Sequence, residues 1–169
     1  VDHLLGAFNA VREAVPEAQL WIAGDGPDRT RLEAEAGPGV PFFGFVPEEE
    51  KARLYEQAWV FASPSLQAGF GLTWWEANPY GLPVIAYEIA GLHTVDESCA
   101  LMVEPGDHVA LAAGLERVLT DASFRATLAE GGRQNAKRFS WARTSDEVLA
   151  FAMSATGLRL QNEAPVAQL

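Results

Sequence analysis

The sequence predicts an α/β domain: a doubly wound, Rossmann-like parallel sheet with helices on both faces. Three observations carry this. Strand-like and helix-like segments alternate along the chain; the strand-like ones ("LWIAG", "WVFAS", "PVIAY") are continuous apolar runs; and glycine- or proline-rich turns close several of them. Strands that are apolar throughout are buried on both faces, as parallel strands under crossover helices are. In such sheets ligands bind beyond the carboxyl ends of the strands, which directs attention to loops 24–28, 63–71 and 88–95.

The elements follow in order. Leu4, Leu5, Phe8, Val11 and Val15 recur at helical spacing until Pro16. "QLWIAG" reads as a strand closed by the turn Gly24-Asp25-Gly26-Pro27, and "DRTRLEAEA" as a polar helix anchored by Leu32. "VPFFGFV" is a strand interrupted by Gly44. Pro47, Glu48 and Glu49 then open a helix that carries Leu54 and Tyr55 inward. After the strand "AWVFAS" comes a glycine-bearing loop and a helix from about Leu72 to Pro79, where proline stops it. "PVIAY" is a strand, Ala90-Gly91 a turn and "ALMVE" a short strand. Asp107 suits the N-cap of a helix through Leu119, and helices around 122–136 and 141–155 complete the domain. The expected organisation is one domain over 1–155 and a loose tail over 156–169. Trp21, Trp59 and Trp141 read as core or helix-packing residues.

Composition narrows the class. A net charge of −11, from 23 acidic and 12 basic side chains, opposes nucleic-acid binding, which needs phosphate-neutralising Lys and Arg. The apolar runs are too short to span a bilayer, and no signal-peptide pattern is present. Cys99 is the single cysteine, which excludes an internal disulfide and suits a reducing cytoplasm. His3, His93 and His108 are scattered, so no metal cluster is expected. Val1 is not an initiator methionine, and the chain reads as trimmed at its start.

Gly69-Phe70-Gly71 before a helix lets backbone approach a ligand where unpaired N–H groups carry partial positive charge. Alone this turn is more readily a plain structural one. Glu76, on that helix, could accept hydrogen bonds from a diol or be an ordinary solvated glutamate. Trp74 and Trp75 point about 100° apart on a helix, so at most one faces a ligand, and packing on the sheet is the expectation.

Taken whole, "SPSLQAGFGLTWWEANPYGLPVIA" resembles the donor-binding stretch of the group 1 (family 4) retaining glycosyltransferases, the C-terminal half of a GT-B fold. The pattern there is S-P-S-x-x-E-G-F-G-x-x-x-x-E-A followed by G-x-P-V-I-A. The likeness continues through "VDHLLGAFNAV", "LWIAGDGP", "VPFFGFVPEEEKARLY", "ALMVEPGD" and "RFSWART", covering about residues 1–155 in the family's order. It implies a domain that binds a nucleoside-diphosphate sugar without metal, opposite a separate N-terminal acceptor domain. By motif position Glu76 would hold the ribose, and backbone of Gly69, Phe70, Gly71 and Leu72 would line the sugar and diphosphate. Gly24 and Gly26, with Phe45 and Val46 of the segment Phe43–Val46, would lie near the base.

Three departures from the pattern bear on activity. The family's first glutamate falls on Ala68, with neutral Gln67 beside it; His93 and Thr94 replace the proline and glutamate of G-G-x-P-E. The chain also begins just after the family's strand bearing an arginine and a lysine, cations that stabilise a leaving diphosphate. No Lys or Arg lies between Arg53 and Arg117, leaving His93, or nothing, as a replacement. That strand would sit between "LWIAG" and "WVFAS", so a gap is expected there, filled by an upstream segment, a swapped strand or a partner chain. Two readings stay open: a donor half of a transferase, and a degenerate domain that binds a nucleotide or a partner protein. A dinucleotide oxidoreductase is set aside because Pro27 follows Gly26 and the third glycine is absent. Hydrolase signatures, G-x-S-x-G and H-E-x-x-H, do not occur.

Overall fold

The computed structural model describes residues 1–90 and 92–156, without the side chains of Trp141 and Thr156. The expectations for Gly91, for the packing of Trp141 and for the tail beyond Thr156 lie outside the described residues. Val1–Ala136 forms one compact unit, and a second begins at Lys137.

The first unit opens with α1 (Asp2–Ala14), whose Leu4, Leu5, Phe8 and Val11 are buried along one stripe. Pro16 disfavours helical geometry at Val15, where φ is −131° and ψ 79°, and the helix ends. Next come β1 (Ile22–Ala23), α2 (Arg29–Glu35) and β2 (Phe42–Gly44). The expected strand through 46 stops at Gly44, because its φ of +67° turns the chain out of extended geometry. Glu48, Glu49 and Glu50 fill the first turn of α3 (Glu48–Gln57), where carboxylates complement the helix dipole.

After β3 (Phe61–Ser63) and the glycine loop comes α4 (Leu72–Ala77). It tightens into a 3-10 turn at Asn78–Tyr80, and Gly81 closes the turn at φ +68°. Then follow β4 (Val84–Tyr87), β5 (Ala100–Val103), α5 (His108–Thr120) and α6 (Ala122–Ala136). Asp107 caps α5 as expected, its Oδ1 accepting from the Ala110 amide at 2.8 Å. The second unit contains α7 (Trp141–Thr156). No helix among the described residues is long and apolar enough to cross a membrane.

All ladders between strands are parallel. They form a two-stranded sheet, β1–β2, and a three-stranded sheet, β3–β4–β5. Every residue of β4 is buried, and its alternation divides the core. Ile85 and Tyr87 pack with α1 and α5 (Phe8, Val11, Leu111, Val118), while Val84 and Ala86 pack with Trp74, Ala77 and Leu82. Helices therefore cover both faces, as the apolar runs predict. Trp74 is 1% exposed, a packing residue as expected, and Trp21 is half-buried against Phe43. Trp59 corrects the sequence reading: it is exposed, with the Arg125 guanidinium lying 4.3 Å above its ring.

The expected gap is visible as topology. β1 and β3 are not paired to each other and belong to different sheets. Leu20, Ile22 and Gly24 donate their amides to the β2 segment, and Phe61 donates to Pro83. Alternation along a parallel strand turns the amides of Trp21, Ala23 and Ala62 to the opposite, open edges.

Candidate functional site

The site is built at the carboxyl ends of the strands. Beyond β3 the chain runs through the glycine loop to Gly71, whose φ of +78° suits glycine. A Cβ on Gly71 would lie 2.2 Å from the Trp74 ring and 3.0 Å from Thr94 Oγ1, so packing as well as backbone geometry demands glycine. Gly69 differs: its φ is not in the left-handed region, and a Cβ there meets nothing within 4 Å. Its bareness leaves open space beside the backbone. Phe70 and Leu72, at 50% and 57% exposure, also stand out from the loop.

Buried polar residues bolt the loop down. Thr94 Oγ1 donates to the Gly71 carbonyl at 2.8 Å. Asn135 Nδ2, from α6, donates to both the Thr94 carbonyl and Asn78 Oδ1 at 2.6 Å. Thr94, Asn78 and Asn135 are the buried polar residues of the described chain. Thr94 thus supports the loop from beneath, whereas His93 beside it is exposed.

A cleft of about 720 Å³ opens in front of the loop, within the range of small-molecule sites. Gln67, Ala68 and Gly69 form one wall, and Glu88, Ile89 and Pro105 another. Glu88 is the ionisable residue lining it, just past the end of β4. The sequence reading passed over Glu88, although its place after a buried strand was a usable signal.

Glu76 projects from α4 toward α3. Its Oε2 accepts from Lys51 Nζ at 3.1 Å and from the Tyr55 hydroxyl at 3.4 Å, and Lys51 also pairs with Glu48 at 3.0 Å. The Glu48 carboxylate first, then Glu76, raise the Lys51 ammonium above its ordinary pKa, against the opposing effect of partial burial. Burial, followed by the charge of Glu76, pushes the Tyr55 hydroxyl up to about 12. Tyr55 therefore stays a donor at neutral pH. A pair as open as Lys51–Glu76, with side chains 28% and 32% exposed, contributes about 0–1 kcal/mol to folding. Lys51 lies before the stretch between Arg53 and Arg117 that carries no Lys or Arg, and only the packing of α3 brings it over α4. Already held by two carboxylates, it is not a free counter-charge for a diphosphate.

The remaining expected site residues lie at the ends of β1 and β2. The Gly24 amide donates to the Gly44 carbonyl at 2.7 Å, joining the two turns, and the Gly26 amide donates to Asp25 Oδ1. Phe45 is 84% exposed and Val46 half-buried. Gly24, Gly26, Phe45 and Val46 form one group; Gly69, Phe70, Gly71, Leu72 and Glu76 form another. A link between them runs through α3, which begins just after Val46 and carries Lys51 to Glu76.

Residues 1–121 match the family model described as "Glycosyl transferases group 1". The chain belongs to this family. It is 37% identical over 175 residues to the D-inositol 3-phosphate glycosyltransferase of Salinispora arenicola, covering 92% of this chain and 39% of that protein. Among solved structures it is similar to sucrose-phosphate synthase from Thermosynechococcus elongatus, at 28% identity and a TM-score of 0.72, over 90% of this chain and 43% of that one. It also shares the fold of Anabaena HepE, solved in complex with UDP and glucose, at 20% identity and a TM-score of 0.74, over 89% of this chain and 44% of that one. The chain spans less than half the length of each of these proteins. The fold is thus the C-terminal GT-B domain that the sequence motifs implied.

Proposed function

We propose that this chain is the nucleotide-sugar donor-binding domain of a retaining glycosyltransferase that moves a hexose from a nucleoside diphosphate to an acceptor. The observation that carries the proposal is the Gly71–Glu76 arrangement. A left-handed glycine opens a helix directly after the loop whose residues 66–69 line a 720 Å³ cleft, and a carboxylate with one oxygen unpartnered among the described residues stands about one helical turn on. Gly69, Phe70, Gly71 and Leu72 offer backbone to the sugar and diphosphate, Glu76 takes the ribose, and Gly24, Gly26, Phe45 and Val46 lie toward the base. The fold relative HepE was solved with UDP and glucose, which supports nucleotide-sugar binding as the reading for this fold.

In the reaction, the bond from the anomeric carbon to the diphosphate breaks, a bond to an acceptor hydroxyl oxygen forms on the same face, and the hydroxyl's proton passes to the departing diphosphate. The acceptor comes from a separate N-terminal domain, and an upstream strand fills the gap between β1 and β3. The chain alone therefore binds donor without turning it over. On the family resemblance no metal takes part, so a chelator leaves binding unchanged. Cys99, the single cysteine, is buried with its thiol donating to the Asp96 carbonyl, which fits a reducing cytoplasm.

Ala68 favours a second reading, a degenerate domain that binds a nucleotide or partner protein without transfer. Glu88 weighs against it, since it returns a carboxylate to the cleft that Ala68 lines.

Calorimetry with UDP, GDP and ADP, each with and without a sugar, tests the proposal. One nucleotide should bind. Glu76→Gln, which removes a charged acceptor worth ~2 kcal/mol, should weaken it about thirtyfold. Binding that ignores Glu76 would refute the site, and a full-length protein that binds none of the three would refute the donor function.

A further inference from the structure

We infer that Lys51 and Glu76 form one recognition unit for the ribose diol of the bound nucleotide, Glu76 accepting from one hydroxyl while Lys51 donates to the other. This rests on the donor reading above and adds Lys51 to its binding residues.

A carboxylate has two oxygens with about four acceptor sites, and an ammonium has three hydrogens. Lys51 Nζ and the Tyr55 hydroxyl both fall on Oε2 of Glu76, so Oε1 has no partner among the described residues. The Lys51 ammonium spends one hydrogen on Glu48 at 3.0 Å and one on Glu76 at 3.1 Å, and one remains. At 28% and 32% exposure the two side chains are within reach of a ligand. The surface therefore offers an anionic acceptor and a cationic donor about one hydrogen bond apart.

A vicinal diol matches this pair, because each hydroxyl can both donate and accept. A carboxylate alone could accept from both hydroxyls, but it would leave their lone pairs unmet and their roles interchangeable. With Lys51 present the roles are fixed. Tyr55 helps by keeping Oε2 occupied, its ring held 5.2 Å from that of Tyr80. Glu48 helps by fixing the ammonium from the far side.

The competing explanation is that Lys51 merely ties α3 to α4. A strut and a ligand contact differ in one observable: only the contact responds to which hydroxyl the ligand carries. The experiment measures dissociation constants of the full-length protein for UDP, GDP and ADP. It repeats them with the 2′-deoxy and 3′-deoxy forms of whichever nucleotide binds, on the natural protein, Lys51→Met and Lys51→Arg. The natural protein should lose about tenfold or more on deletion of either hydroxyl. Lys51→Met should weaken the ribonucleotide by about tenfold and no longer distinguish it from one of the two deoxy forms, while Lys51→Arg restores the distinction. If Lys51→Met keeps the natural ratio of ribo to deoxy affinities, whatever happens to absolute affinity or thermal stability, Lys51 is a strut and the inference falls while the donor reading stands. If no nucleotide binds the natural protein, the donor reading fails and takes this inference with it; if Glu76→Gln binds unchanged, the ribose site falls and this inference with it.

Discussion

At the scale of single residues, the two glycines of Gly69-Phe70-Gly71 look alike in sequence and differ in the folded chain. Gly71 is required by the fold, since its φ is +78° and a Cβ would press into the buried Trp74 ring. Gly71→Ala should cost about 2–4 kcal/mol, the sum of left-handed strain and displacement of a core side chain. Gly69 has open space instead. Gly69→Ala should leave stability within about 0.5 kcal/mol of the natural protein while weakening nucleotide-diphosphate binding. Thermal unfolding and calorimetry on both variants separate the two roles; equal loss of stability would contradict the assignment. The same contrast shows what sequence could and could not tell. Glu76 is singled out by its motif. Lys51, 25 residues away along the chain, is not, because only folding brings it to Glu76.

At the scale of elements, helix ends were legible because their causes are local: Pro16 beyond α1, acidic residues in the first turn of α3, Asp107 at the head of α5. Strand ends were less so, as β2 shows by stopping at Gly44. The contact of α3 with α4 carries a pH dependence. Tyr55 has its folded pKa raised from an ordinary 10.0 to about 12. A raised folded value means its contribution is fully present below pH 10.0 and is lost as pH rises through about 12. Unfolding midpoints should therefore fall across that window. Tyr55→Phe, which cannot ionise, should make the fall shallower. An unchanged slope would show that Tyr55 is not shielded as the geometry of α3 and α4 implies.

At the scale of the whole molecule, the strands form two parallel sheets, and the amides of Trp21, Ala23 and Ala62 point to their open edges. Unpaired edges invite a strand. Hydrogen exchange at these three amides should be fast in this chain and slow in a longer form that carries the proposed upstream segment. Equal rates in the two would mean that the segment does not enter the gap. Amides of the buried strand β4 serve as the reference, since β4 is paired on both sides in either form.

Sequence by itself determined the class of fold and the family. Both depend on what neighbours in the chain do: apolar runs that must be buried on two faces, prolines and glycines that end elements, and a motif confined to one loop and its helix. Tertiary structure alone decided which groups meet. Lys51 and Glu76, Thr94 and Gly71, Asn135 and Asn78, and Glu88 and Ala68 are brought together by the packing of helices over strand ends. Hydrogen bonds act over about 3 Å whatever the separation along the chain, so their partners are fixed only when the layers close.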